Sequence, residues 1–158
     1  MSAFKVVIPA RYGSQRLPGK PLLDIGGKPM IRHVFERACE SGAEEVVIAT
    51  DDVRIEETVR RFSDRVYLTS TAHASGTDRI AEVVNSLRWG EDTVVVNLQG
   101  DEPMMPPALL AQVAETLVSH GEADMATLAV PLVSPDQLFD THTVKVVTDR
   151  RGYALYFS

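Results

Sequence analysis

Phe4-Lys5-Val6-Val7-Ile8-Pro9-Ala10-Arg11-Tyr12-Gly13-Ser14-Gln15-Arg16-Leu17-Pro18-Gly19-Lys20-Pro21-Leu22 stands near the start of the chain and decides how the rest is read. Residues 4–9 are too continuously apolar for a strand with one face in water, so they predict a short strand buried on both faces. A turn-rich stretch from Ala10 to Pro29 follows. Glu45-Val46-Val47-Ile48-Ala49-Thr50 and Thr93-Val94-Val95-Val96-Asn97-Leu98 repeat the same strand signal. Between the strands, apolar residues recur at helical spacing. Met30, Ile31, Val34, Phe35, Ala38 and Cys39 mark one helix, and Ile55, Val59 and Phe62 a second. Ile80, Ala81, Val84 and Leu87 mark a third, capped by Thr77-Asp78. A fourth opens at Pro106-Pro107 and carries Leu109, Leu110, Val113, Ala114, Leu117 and Val118. Residues 125–132 predict a further strand, and residues 144–147 and 153–157 a hairpin around Asp149-Arg150-Arg151-Gly152. Buried strands alternating with amphipathic helices predict a three-layer α/β/α fold around a mostly parallel sheet.

The 158 residues fit one domain, and 44% hydrophobic with 24% charged residues describes an ordinary globular protein. No apolar run approaches the ~20 residues of a membrane helix, and the N-terminus lacks a signal peptide's apolar stretch, so neither secretion nor membrane insertion is expected. The single cysteine, Cys39, excludes an intramolecular disulfide framework and suits a reducing compartment. The four histidines are scattered without zinc-ligand spacing. A net charge of −6 argues against nucleic acid as a partner. Residues 11–28 run against that average, with Arg11, Arg16, Lys20 and Lys28 opposed only by Asp24, which points to a local anion site.

In open α/β sheets ligands lie beyond the carboxyl ends of the strands, which singles out residues 10–20, 50–52 and 99–103. The first segment has the makings of a polyphosphate cradle. Gly13 and Gly19 let backbone N–H groups approach oxygens, while Arg11, Arg16 and Lys20 neutralise them. It is not a P-loop, because five residues rather than four separate Gly13 from Gly19 and Pro21 stands where a hydroxyl belongs. A solvated basic turn is the competing reading. In Gln99-Gly100-Asp101-Glu102-Pro103 a strand-end carboxylate suits Mg²⁺, with Asp101 the ligand and Gly100 admitting close backbone approach, against a plain acidic turn. Asp52 is read as a helix cap. Ser75, Gly76 and Thr77 lead into a helix N-terminus that favours an anion or the acceptor edge of a base, with Arg79 in reach of either, against an ordinary N-cap with a surface arginine. His73 is read as a polar loop residue rather than a catalytic base. Triad hydrolysis and zinc proteolysis have no motif here.

Residues 7–22 resemble the signature of the 3-deoxy-manno-octulosonate (Kdo) cytidylyltransferases, or CMP-Kdo synthetases. His73-Ala74-Ser75-Gly76-Thr77-Asp78-Arg79, Val96-Asn97-Leu98-Gln99-Gly100-Asp101-Glu102-Pro103 and Met125-Ala126-Thr127-Leu128-Ala129-Val130-Pro131 look like three further blocks in the family's order. Val144-Lys145-Val146-Val147 with Gly152-Tyr153-Ala154-Leu155-Tyr156-Phe157-Ser158 resembles a fifth. The resemblance implies a Rossmann-like nucleotidyltransferase fold in one domain over residues 1–158. It implies a cytoplasmic, Mg²⁺-dependent, homodimeric enzyme that converts CTP and Kdo into CMP-Kdo and pyrophosphate for lipopolysaccharide synthesis. It assigns Ala10, Arg11, Ser14, Arg16 and Lys20 to the triphosphate and Ser75, Thr77, Arg79 and Gln99 to the cytosine and ribose, with Pro9, Gly13 and Gly100 also among the nucleotide-binding residues. Asp101 becomes the metal ligand, with Arg16, Lys20 and Asp101 carrying the chemistry. It also implies that the family's second metal aspartate, most sugar contacts and much of the dimer interface lie beyond Ser158. A CMP-sialic acid synthetase, a sugar-1-phosphate nucleotidyltransferase and a non-catalytic CTP-binding module are the competing readings.

Overall fold

The computed structural model describes residues 2–13 and 17–158. The chain divides into two compact units, Met1–Ala126 and Thr127–Ser158. In the first, β1 (Lys5–Ala10), β4 (Glu45–Thr50), β5 (Val66–Leu68) and β6 (Val95–Asn97) form a wholly parallel sheet in the order β5-β4-β1-β6. Helices α1 (Met30–Cys39), α2 (Val53–Arg60), α3 (Gly76–Ser86) and α4 (Pro107–Ser119) connect or flank the strands. A short ribbon, β2 (Asp24–Ile25) and β3 (Lys28–Pro29), precedes α1 and turns at Gly26 and Gly27, both at positive φ.

Strand periodicity assigns the helices to layers. Val6 and Ile8 of β1 share a core with Ile31 and Val34 of α1, Ile55 and Val59 of α2, and Leu110 and Ala114 of α4. Val7, pointing the other way, packs with Val47, Ala49 and the α3 residues Ile80 and Val83. The handedness of parallel crossovers explains the split. The chain steps from β1 to β4 to β5 in one direction, then reverses across β1 to reach β6. A right-handed return must therefore run over the opposite face, and α3 is the helix that does so.

Several local expectations need correction. The cap of α3 is Ser75, whose hydroxyl accepts the Asp78 N–H at 3.1 Å while Asp78 accepts the Ser75 N–H at 3.1 Å. The inner face of α3 carries Arg79, Ile80 and Val83, with Val84 and Leu87 packed beside them as the spacing predicts, while Ala81 is exposed. Phe62 lies past the end of α2 yet still packs on the core. Residues 125–132 do not form a strand. Met125 and Val130 are 86% and 87% exposed, and Pro131 has no N–H to give a ladder. The ribbon β2–β3, the strand β5 and the short helix α5 (Pro135–Phe139) carry too few patterned residues to stand out in the sequence. In the second unit, β7 (Val146–Thr148) and β8 (Ala154–Phe157) pair antiparallel as the hairpin motif predicts, with Gly152 at φ 89°. Among the described residues, no side chain of this unit is buried. No helix there or in the first unit is long and apolar enough to cross a membrane, among the described residues.

Two contacts at the carboxyl ends of the strands fix α3 and β6. The Arg79 guanidinium, 4% exposed, donates to Asp51 Oδ2 at 2.6 Å and to the Thr69 hydroxyl, and Thr69 in turn bonds the Thr50 carbonyl at 3.0 Å. Past β6, Gly100 crosses β1 so closely that a Cβ there would lie 2.9 Å from the Pro9 carbonyl oxygen and 3.3 Å from the Ala10 Cβ. Asp51→Ala strands a buried guanidinium and is expected to cost about 3 kcal/mol in urea unfolding, at the lower end for a broken buried pair because Asp51 keeps some solvent. Gly100→Ala is expected to cost about 1–3 kcal/mol by overpacking. The control Gly13→Ala, with nothing among the described residues within 4 Å of the added carbon, is expected to leave the unfolding midpoint in place.

Candidate functional site

Reversal of the strand order at β1 points to a crevice beyond the carboxyl ends of β1 and β6, because the connections on either side of β1 run over opposite faces of the sheet. Pro9 and Ala10 form its floor. The Gly100 N–H reaches the Pro9 carbonyl at 3.3 Å, which brings the Gln99–Asp101 turn over the end of β1. From the other side the start of α3 approaches, for a Cβ on Gly76 would sit 3.4 Å from Pro9 Cγ. Three segments that the sequence singled out separately thus meet around one strand end.

Across this crevice the Lys20 ammonium binds Asp101 Oδ2 at 2.8 Å, linking residues 81 positions apart. Lys20 begins a single 3-10 turn, Lys20–Leu22, whose buried Pro21 anchors it to the first unit. Gly19 precedes it at φ 72°, a left-handed conformation that a side chain resists. The two charges remain 33% and 52% exposed, so the pair contributes little to stability and opens readily to a stronger partner. This is a cation and a carboxylate presented side by side at a strand end.

The other candidates fall into distinct places. Arg11 and Gly13 are exposed on the segment leaving β1, and Arg11 makes no ion pair among the described residues. Ser14 and Arg16 lie outside the described residues. Ser75 and Thr77 are exposed at the first turn of α3, with the Ser75 hydroxyl engaged in the cap. The Gln99 amide, also exposed, donates to Asn97 Oδ1 at 2.9 Å. Arg79 is turned inward onto Asp51 and Thr69 rather than out to the crevice. His73 bonds Glu82, which also accepts the Ser70 N–H at 3.0 Å. These bonds, the His73 one foremost, hold the Glu82 carboxyl below its ordinary pKa and brace the loop before α3. Asp52 caps α2 as expected, accepting the Arg54 N–H at 2.9 Å, and the Arg54 side chain lowers its pKa.

Sequence reasoning missed Asp51 and Thr69 as the partners of Arg79, and Tyr12 and Arg54 as neighbours of the cationic segment. A buried arginine three residues into a helix leaves no periodic signal. Only the acidic pair Asp51-Asp52 at a strand end hinted at a partner, and it was Asp52 that drew the assignment.

Comparison with known proteins places the chain in a family. The cytidylyltransferase family matches residues 5–158. A 3-deoxy-manno-octulosonate cytidylyltransferase of Idiomarina loihiensis is 61% identical over 99% of the chain, and that of Pasteurella multocida is 54% identical over 100%. The chain spans 62% and 61% of the length of these relatives. Among solved structures, CMP:2-keto-3-deoxy-manno-octonic acid synthetase complexed with CTP superposes with a TM-score of 0.85 at 44% identity, over 99% of this chain and 64% of that one. A 4-diphosphocytidyl-2C-methyl-D-erythritol synthase, 16% identical with a TM-score of 0.65 over 100% of this chain and 69% of that one, shares the fold. With a parallel sheet reversing at β1, a cation and a carboxylate at that reversal, and a family match over nearly its whole length, the chain belongs to the cytidylyltransferase family.

Proposed function

We propose that the protein transfers CMP from CTP to Kdo, releasing pyrophosphate. Residues of this chain supply the nucleotide side of the reaction. The observation that carries the reading is the Lys20–Asp101 pair across the β1–β6 crevice, where one group suits a phosphate and the other a hard cation. Support for the substrates comes from the relatives' names and from the CTP-bound structural neighbour.

The donor set fits Mg²⁺. That ion takes one or two carboxylates and completes its shell with substrate oxygens and water, and Asp101 offers one half-exposed carboxylate. When bound, Mg²⁺ supplies charge neutralisation for the phosphates. Asp101 holds that charge at the strand end, and Lys20 leaves Asp101 for a phosphate oxygen. Arg11 and Arg16 steady the rest of the triphosphate. Gly13 and Ser14 let the backbone pass close to the phosphate oxygens, and Pro9, Ala10 and Gly100 form the floor beneath them. Ser75, Thr77 and Gln99 line the nucleoside end, and Arg79 sets the start of α3 beneath them.

In the chemical step the anomeric hydroxyl of Kdo attacks the α-phosphorus in line. A new O–P bond forms, the bridge to the β-phosphate breaks, and pyrophosphate leaves with the electron pair of that bridge. The hydroxyl proton passes to solvent. Positioning and charge stabilisation carry such a transfer, so the site needs no strong general base. We place the enzyme in the cytoplasm, as a homodimer supplying lipopolysaccharide synthesis, and these assignments rest on the family resemblance.

Titration calorimetry with CTP and Mg²⁺, followed by a pyrophosphate-release assay with Kdo, tests the reading. The folded protein is expected to bind Mg²⁺–CTP and to prefer Kdo over sialic acid as acceptor. Lys20→Ala is expected to weaken nucleotide binding, and Asp101→Asn to lower release by about 100-fold or more. Absence of any heat with Mg²⁺–CTP overturns the proposal, and unchanged release in Asp101→Asn removes its metal role. Because the chain spans only 62% of its relative's length, CTP binding without release assigns these residues to nucleotide binding alone.

A further inference from the structure

Tyr12 and Arg54 belong to none of the assignments above, yet they enclose the base of the cationic segment. The Tyr12 carbonyl accepts the Gly19 N–H at 2.9 Å, so the chain that leaves at Tyr12 is closed where it returns at Gly19. The Tyr12 ring then covers Gly19. A Cβ at Gly19 would lie 3.0 Å from Tyr12 Cε2 and 3.2 Å from its hydroxyl oxygen, so the ring fills the space that a side chain would need. On the ring lies the Arg54 guanidinium, 3.3 Å from the centroid. Arg54 is itself held in a fork by Asp52, Nε to Oδ1 at 2.9 Å and the terminal nitrogen to Oδ2 at 2.6 Å. Asp52 caps α2, and α2 is rooted in the core through Ile55 and Val59. A continuous set of contacts therefore runs from the core through Asp52, Arg54 and Tyr12 to Gly19, one residue before Lys20.

We infer that Tyr12, clamped by Arg54, is a positioning residue that holds Gly19 and thereby aims Lys20 at Asp101 and at the incoming phosphates. The inference rests on the nucleotide-binding reading for its purpose, while the clamp itself rests on the distances alone. Stacked guanidinium and ring attract through the ring's negative face, and the fork leaves the guanidinium flat and ready for stacking. Held this way, Lys20 comes to the phosphates without first ordering its own backbone, which is where preorganisation raises affinity.

The test is a double-mutant cycle read by two methods. By calorimetry, Tyr12→Ala is expected to weaken Mg²⁺–CTP binding about tenfold and Arg54→Ala about fivefold, while Tyr12→Phe, which keeps the ring, stays near wild type. In a Lys20→Ala background, Tyr12→Ala and Arg54→Ala are expected to have no further effect, because both act through Lys20. By amide hydrogen exchange, the Gly19 N–H is expected to exchange faster in Tyr12→Ala and Arg54→Ala than in the wild type, with Tyr12→Phe restoring protection. Should Tyr12→Ala fold poorly, the surface variant Arg54→Ala carries the test. Additive effects with Lys20→Ala, or wild-type Gly19 exchange in both variants, overturn the inference. A wild-type protein that binds no Mg²⁺–CTP overturns the proposed function instead, and the Gly19 exchange then decides the clamp by itself.

Discussion

The reversal of strand direction at β1 is the constraint from which the rest of the first unit follows. Crossovers between parallel strands are right-handed. A chain that builds β1-β4-β5 outward and then returns to the far side of β1 must put α3 on the face opposite α1 and α2. The two sets of connections diverge at the end of β1, beside the place where Lys20 meets Asp101. Lys20, Gln99, Gly100 and Asp101 gather there, beside the start of α3.

Two ion pairs beyond the carboxyl ends of the strands do different work. Arg79 and Asp51 are largely withdrawn from water and hold α3 to the end of β4. Lys20 and Asp101 stand half in solvent, where attraction is damped by water. The first pair is a fixture, since separating it would leave a buried charge. The second satisfies two groups cheaply until something better suited to each arrives. Burial rather than charge type separates the fixed pair from the exchangeable one in this molecule.

Much of this was legible in the sequence. Continuous apolar runs at residues 4–9 and 45–50 and helical spacing in residues 30–39 gave strands and helix nearly as observed, because hydrophobic periodicity is local information. The strand-end rule singles out residues 10–20, 50–52 and 99–103, and the first and last of these segments meet through Lys20 and Asp101. What escaped was non-local or unpatterned. Nothing in Val66-Tyr67-Leu68 marks so short a strand. The shift of the α3 cap from Thr77 to Ser75 follows from a reciprocal pair of hydrogen bonds that several Ser, Thr and Asp residues in that segment could equally have made. The apolar residues 125–132 satisfied the strand pattern and lacked a ladder to join. The inward turn of Arg79 depends on Asp51, 28 positions away.

Since every buried side chain among the described residues lies in Met1–Ala126, the heat capacity of unfolding is concentrated in that unit. A two-stranded ribbon such as β7–β8 is marginal in water by itself. A calorimetric endotherm of this polypeptide would accordingly report the first unit. Fitting it to a single all-or-none transition over 158 residues would understate the enthalpy per participating residue.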